Sequence, residues 1–228
     1  MAGIKIAPSV LAWNLGNLEK AVEISVEGKA DQVHLDVIDG NFAPNITFGP
    51  GTVKALRRLT DMKFDTHLMI QNPQNYVEKF LDAGSDLVTL HAEVLTGRLF
   101  DELHGTVRAR GKEVGLAIKP QTDLPGWAAD RLDKVSTLVV MTVNPGFSGQ
   151  KMDMSVMPKL QRLSSLVQER GLGSDIEIDG GVEPENVAEV VKRGGNVLVA
   201  GAGVYAKKDP VKAIAALRAE AEKVRRHP

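Results

Sequence analysis

Cysteine is absent from the 228 residues, which excludes disulfides, thiolate metal sites and cysteine nucleophiles. A surplus of charge is missing too: 28 Lys and Arg stand against 29 Asp and Glu, a formal net charge of −1 with His neutral. Charges of both signs are interspersed, so no field would draw nucleic acid or an anionic membrane surface. The one basic cluster, Lys223, Arg225 and Arg226, ends the last helical stretch, where cations suit the negative end of the helix dipole. No apolar run approaches the ~20 residues of a membrane span. The opening MAGIKIAPSV lacks a charged region followed by a long apolar one, so no leader is expected and the cytoplasm is the expected compartment. No Pro, Ser or Gly-rich linker interrupts the chain. Apolar residues make up 43% and charged residues 25%, ordinary for a globular protein.

What is present is repetition. Short apolar runs recur as KIAPSVL, QVHLDVI, FDTHLMI, LVTLHAE, EVGLAIKP, TLVVMTV, IEIDGG and NVLVAG. Amphipathic stretches with helical spacing lie between them, such as Leu18, Val22 and Val26, or Val77, Phe80 and Leu81. Strands alternating with helices imply right-handed βαβ units and a parallel sheet. Repeated eight times without a break, the pattern predicts a single (β/α)8 barrel over residues 1–228, with only a short helix around LPGWAAD. A doubly wound open sheet is the alternative, disfavoured by the repeat count and by the lack of a dinucleotide glycine fingerprint.

The stretch VHLDVIDGNFAPNITFG, residues 33–49, places two ionisable groups inside a strand. Side chains alternate along a strand, so His34 and Asp36 share one face while Val33, Leu35 and Val37 take the other. Such a pair is either a His–Asp hydrogen bond on an exposed face or part of a site. In a barrel, functional side chains gather at the C-terminal ends of the strands. That rule collects Ser9, His34, Asp36, His67, His91, Lys119, Thr142, Asp179 and the Gly201 region at one mouth. Taken alone, His67 reads as a satisfied core histidine. Together, the imidazoles of His34 and His67 and the carboxylates of Asp36 and Asp179 can bind a divalent metal, and such mixed ligation suits Zn, Mn, Fe or Co better than Mg alone.

Three glycine-rich turns follow strands six to eight: NPGFSGQ, DGG and AGAG. Each could be a tight βα turn, but three side by side point to a phosphate, because glycines admit close backbone approach. Lys119 is either a rim lysine or, if desolvated, a Schiff-base nucleophile. His91 and Glu93 read as hydrogen-bonding partners at the rim, and Met69 and Met141 as core fillers or as an apolar lid over a reactive site.

The stretches PSVL, VHLDVIDGNFAPNITFG, HLMI, GLAIKP, VMTVNPGFSGQ, IDGG and VAGAGV closely resemble the ribulose-phosphate 3-epimerase family over almost the full length. The resemblance implies a metal-dependent barrel isomerase of carbohydrate metabolism that interconverts D-ribulose 5-phosphate and D-xylulose 5-phosphate. It implies one divalent ion per subunit, held by His34, Asp36, His67 and Asp179, with Asp36 and Asp179 as the acid/base pair. Ser9, His67, Met69 and Met141 would meet the substrate, and Gly146, Phe147, Ser148, Gly149, Gly180, Gly181, Gly201 and Ala202 its phosphate. A homo-oligomer is expected. Three positions depart from the family pattern: Ile38 stands for a methionine of the lid, Ala202 for a serine beside the phosphate, and Trp13 for a small residue. Trp13 is expected to crowd the mouth or meet a neighbouring subunit. Those departures keep a six-carbon ketose phosphate, such as allulose 6-phosphate, as an alternative substrate, and a noncatalytic phosphosugar-binding barrel as an alternative role.

Overall fold

The computed structural model describes residues 3–226, with side chains as far as Val224. The side chains of Arg225 and Arg226, and so most of the basic cluster, lie outside the described residues, as do Met1 and Ala2 of the opening stretch.

Eight strands run parallel: β1 (Lys5–Pro8), β2 (Gln32–Ile38), β3 (Lys63–Met69), β4 (Leu87–His91), β5 (Glu113–Ile118), β6 (Thr137–Met141), β7 (Asp175–Asp179) and β8 (Val197–Ala200). They pair in the order β1-β8-β7-β6-β5-β4-β3-β2, and a parallel bridge between Ser9 and His34 joins the two ends. Each apolar run named above is one strand. The helices are α1 (Leu18–Glu27), α2 (Pro50–Arg57), α3 (Val77–Ala83), α4 (Gly97–Ala109), α5 (Gly126–Ala129), α6 (Met157–Glu169), α7 (Pro184–Lys192), α8 (Ala202–Tyr205) and α9 (Pro210–Arg226). As expected, the segment after β5 is weak, a four-residue helix followed by one 3₁₀ turn at Leu132–Lys134. Among the described residues no helix is long and apolar enough to cross a membrane.

Most strand residues are fully buried, β2 along its whole length, because one face packs on the surrounding helices while the other fills the barrel. Leu35, Phe64, Leu90, Leu116 and Ile178 belong to the outer, helix-facing core. In α1 the buried stripe runs through Leu18, Ala21, Val22 and Ser25. Val26, expected on that stripe, is 45% exposed, because it lies four residues beyond Val22 at the end of a helix whose inner face has already turned through Ser25. Ser25 earns burial through its hydroxyl, which meets Tyr205 Oη and the Ala21 carbonyl at 2.9 Å each.

Candidate metal centre and active site

The interior of the barrel is polar where strands repeat a polar residue at every second position. Gln32, His34 and Asp36 alternate along β2, Asp65 and His67 along β3, and Glu177 and Asp179 along β7. The register sets His34 beside Asp65 and Asp36 beside His67. All seven groups are buried.

At the top of this column one ligand atom from each of His34, Asp36, His67 and Asp179 lies within 4.8 Å of the others. His34 Nε2 stands 3.3 Å from Asp36 Oδ1 and 3.8 Å from Asp179 Oδ2. His67 Nδ1 stands 3.2 Å from Asp179 Oδ2 and 3.8 Å from Asp36 Oδ1. Despite these approaches, His34 Nε2, His67 Nδ1 and Asp179 Oδ2 are buried without a hydrogen bond. Buried polar atoms are normally satisfied, so three such atoms facing one point are a donor set that fits a divalent cation. Ligands of this kind sit about 2.0–2.2 Å from a metal, which spaces neighbouring ligand atoms by roughly 3.0–3.5 Å, close to the separations found. Two imidazoles with two carboxylates suit Zn, Fe, Mn or Co.

Electrostatics agree. Burial alone would lower the His34 pKa, but the carboxylates of Asp65 and Asp36 outweigh it and hold the ring well above its ordinary value. Burial would raise Asp36, yet His34, His67 and the Ser9 hydroxyl bring it down to about 2. Ser9 Oγ donates to Asp36 Oδ2 at 2.5 Å, leaving Oδ1 for the cluster. Carboxylates that hold a proton on a buried imidazole would equally favour a divalent cation in its place.

Asp65 and Glu177 were not singled out from the sequence. Asp65 Oδ2 takes the Nδ1 side of His34 at 2.7 Å, and Gln32 donates to both Asp65, at 3.0 Å, and Glu177, at 3.4 Å. Burial and the nearby Asp65 raise Glu177 well above the usual carboxylate range. The signal was available: each stands two places before a named ligand on the same strand face.

Above the cluster opens a cavity lined by Ser9, Asp36, Ile38, Met69, Met141, Gly146, Phe147, Ser148, Gly149, Asp179, Gly180, Gly181, Gly201 and Ala202. His34 and His67 lie beneath it, fully buried, and line none of it. One wall is apolar: Ile38, Met69 and Met141 line the cavity and pack with Phe42 and Ala43. The opposite wall is glycine backbone. Gly180 and Gly181 have φ of +119° and +62°, and a Cβ on Gly181 would strike the Met152 amide and the Gln150 carbonyl. Glycine there lets the β7 turn nest against the long loop after β6. Thr142 Oγ1 donates to the Asp179 carbonyl at 3.1 Å, and Asn186 Nδ2 to the Gly181 carbonyl at 2.7 Å, which fixes the turn.

Two readings left open by the sequence narrow. Trp13 lines no part of the cavity; its ring packs on Tyr205 at 5.6 Å, bracing α8 from behind, so of its two expected places the mouth is excluded. Lys119 is no buried nucleophile: its Nζ lies 3.8 Å over the Phe42 ring, while its amide donates to Glu93 Oε1 at 2.7 Å.

Residues 5–205 match the Ribulose-phosphate 3 epimerase family. The chain belongs to that family. Ribulose-phosphate 3-epimerase of Bacillus subtilis (strain 168) is 40% identical over 220 residues, 94% of this chain and 98% of its own. The chloroplastic ribulose-5-phosphate-3-epimerase of Arabidopsis thaliana is 39% identical over 219 residues, 95% of this chain and 76% of its own. The 3-keto-L-gulonate-6-phosphate decarboxylase of Vibrio cholerae has the same fold, with a TM-score of 0.72 at 15% identity over 98% of this chain and 99% of that one. As a member of the ribulose-phosphate 3-epimerase family the chain is an isomerase, and its buried His/Asp cluster can hold a divalent cation.

Proposed function

We propose that the chain inverts carbon 3 of a five-carbon ketose phosphate, interconverting D-ribulose 5-phosphate and D-xylulose 5-phosphate, with Asp36 and Asp179 as the acid/base pair. The observation that carries the reading is that both carboxylates enter one cavity from strands on either side of β8 and β1. Inversion next to a ketone needs a proton removed from one face of the carbon and another returned on the opposite face. Two carboxylates meet that need when one arrives ionised and the other protonated, and each then changes state in every turnover.

Removal of the proton leaves an enediolate, whose charge must be stabilised without delay. His34, Asp36, His67 and Asp179 would hold a divalent cation, which supplies positive charge beside the oxygens where negative charge develops. Ser9 holds the Asp36 carboxylate by its hydrogen bond, which fixes the direction from which Asp36 meets the carbon. Met69, Met141 and Ile38 exclude water from that side, protecting the intermediate from stray protonation. The glycine backbone of the turns after β6, β7 and β8, with Ala202, would surround the phosphate; binding energy there positions the carbon. With no cysteine in the chain, a reducing cytoplasmic setting is compatible with this role.

The test is conversion in heavy water, assayed in parallel on D-ribulose 5-phosphate and D-allulose 6-phosphate. Solvent deuterium must appear at carbon 3 of the product, because a carboxylate proton exchanges between turnovers. Epimerisation without deuterium uptake would overturn the two-carboxylate mechanism, and faster turnover of the six-carbon sugar would overturn the substrate.

A further inference from the structure

His67 offers Nδ1 to the cluster, and a histidine can ligate only through a nitrogen that carries no hydrogen. What decides which ring nitrogen is bare lies on the far side of the ring. His67 Nε2 stands 2.9 Å from His91 Nε2, the two rings nearly parallel at 15° and both fully buried. An N···N contact of that length holds one hydrogen, carried by one ring and accepted by the other. On its other nitrogen, His91 Nδ1 lies 2.9 Å from Glu93 Oε2. Glu93 Oε1 in turn accepts from the Lys119 amide at 2.7 Å. With both oxygens accepting, Glu93 is an ionised carboxylate, and the hydrogen of a neutral His91 sits on Nδ1. His91 Nε2 is then an acceptor, and the shared hydrogen belongs to His67 Nε2.

We propose that His91 and Glu93 form a positioning relay that fixes the tautomer of His67, so that its bare Nδ1 faces the cation. The inference rests on the metal site proposed above and deepens it. The opposite arrangement, a charged His91 donating to His67, would put a hydrogen on His67 Nδ1 and aim it at Asp179. Geometry opposes that arrangement: His67 Nδ1 and Asp179 Oδ2 stand 3.2 Å apart yet form no hydrogen bond. Histidine ligands commonly hand their second N–H directly to a carboxylate or carbonyl, as His34 does to Asp65; here a second imidazole is interposed. The relay is anchored from β5 as well. Lys159, only 8% exposed, donates its ammonium to the carbonyls of Lys119, Pro120 and Thr122 at 3.0, 2.7 and 3.0 Å. That clamp holds the loop whose amide holds Glu93, and it gives a buried lysine a purpose.

The test uses the full chain loaded with zinc alone, without substrate. Imidazole ¹⁵N spectra of the zinc-loaded protein should show hydrogen on His67 Nε2 and His91 Nδ1, with His67 Nδ1 shifted by the metal. Zinc affinity, measured by competition with a chelator, should fall 10- to 100-fold in His91→Leu, the range seen when such outer partners are lost. His91→Gln should recover most of it, because its amide can accept from His67 and donate to Glu93. Glu93→Gln should fall between, since an amide NH2 replaces one of the two oxygens that accept from His91 and from the Lys119 amide. Hydrogen on His67 Nδ1 in the wild-type spectrum would overturn the relay, whether or not any variant folds. So would wild-type zinc affinity in a folded His91→Leu. His67→Ala separates the two levels: if it strips zinc while His91→Leu does not, the relay alone is wrong, and if it leaves zinc in place, the metal site is wrong and the relay with it.

Discussion

At the N-terminal end of the barrel, Lys5 pairs with Asp175 at 2.5 Å, Lys63 with Glu113 at 2.6 Å, and Arg218 with Asp31 at 2.7 Å. Asp86 there takes Arg57 at 2.8 Å and Lys112 at 2.7 Å. At the C-terminal end, Asp36 and Asp179 meet histidines and the Ser9 hydroxyl, and among the described residues no lysine or arginine pairs with either carboxylate. One end answers its charges with counter-charges from the same chain. The other gathers negative charge and lone pairs around a point that no side chain fills. The first arrangement stabilises a fold, each exposed pair contributing a few tenths of a kcal/mol to about 1 kcal/mol. The second is costly to the fold and makes sense as chemistry.

The comparison breaks most completely if the mouth works without a cation. Chelation should abolish turnover and His67→Ala should remove most bound metal, because neutral imidazole is a strong ligand and its loss leaves three donors. Elemental analysis beside a coupled epimerase assay checks both. Full activity in a demonstrably metal-free preparation would sink the contrast between the two ends.

Next in size is the carboxylate pair. Asp179→Asn keeps an oxygen for the cation but cannot carry a proton, so net epimerisation should fall by roughly 10²- to 10⁴-fold with metal content unchanged. The surviving Asp36 should still exchange the carbon 3 proton of one epimer with solvent and not of the other. Equal exchange from both epimers would show that the two groups do not serve opposite faces.

How much of this the sequence displayed depends on distance along the strand. All eight strands were legible because an apolar run bounded by turn residues is a local signal, and the four cluster residues were legible because strand ends share one mouth. Asp65 and Glu177 lie deeper in the same columns, where the rule about strand ends says nothing; strand alternation places them beneath the ligands, and the buried hydrogen bonds to His34 and Gln32 show what they do. The His67–His91 contact was illegible for another reason. Both residues were placed at the mouth, but which ring nitrogens meet depends on side-chain angles that no spacing encodes. The mouth reading of Trp13 fails because a bulky residue near a site can pack outward, and its partner Tyr205 is nearly two hundred positions away in sequence.

A smaller effect belongs to the N-terminal end. Burial pushes Asp86 up, but the hydrogen bonds and charges of Lys112 and Arg57 and the Phe64 amide bring its carboxyl below the usual range. A depressed pKa means that the carboxylate contributes its stability above the unfolded value, near pH 4, and loses it as pH falls through the folded value. Asp86→Asn should therefore cost about 2 kcal/mol near neutrality, a drop in Tm of roughly 4–8 °C for a chain of this size. The gap to wild type should narrow in acid, while zinc affinity stays as it was. An undiminished gap at low pH would mean that packing, not charge, accounts for the loss.

The smallest expected effect tests the glycine wall. Ala202 opens α8 beside Gly201 and lines the cavity with Gly180 and Gly181, yet a methyl group can donate nothing to a phosphate. Ala202→Ser adds one hydroxyl, and a net hydrogen bond is worth about 1 kcal/mol, a factor of roughly 5 in binding. A phosphate contact is made equally in the ground and transition states, so KM should fall about fivefold while kcat holds. Unphosphorylated D-ribulose supplies the control, since it has no group for the new hydroxyl to hold and should show no gain. Tm should stay unchanged, because nothing at the paired end of the barrel is touched. A rise in kcat with KM unaltered would place Ala202 near the reacting carbon instead, and the phosphate would have to be sought on another part of the mouth.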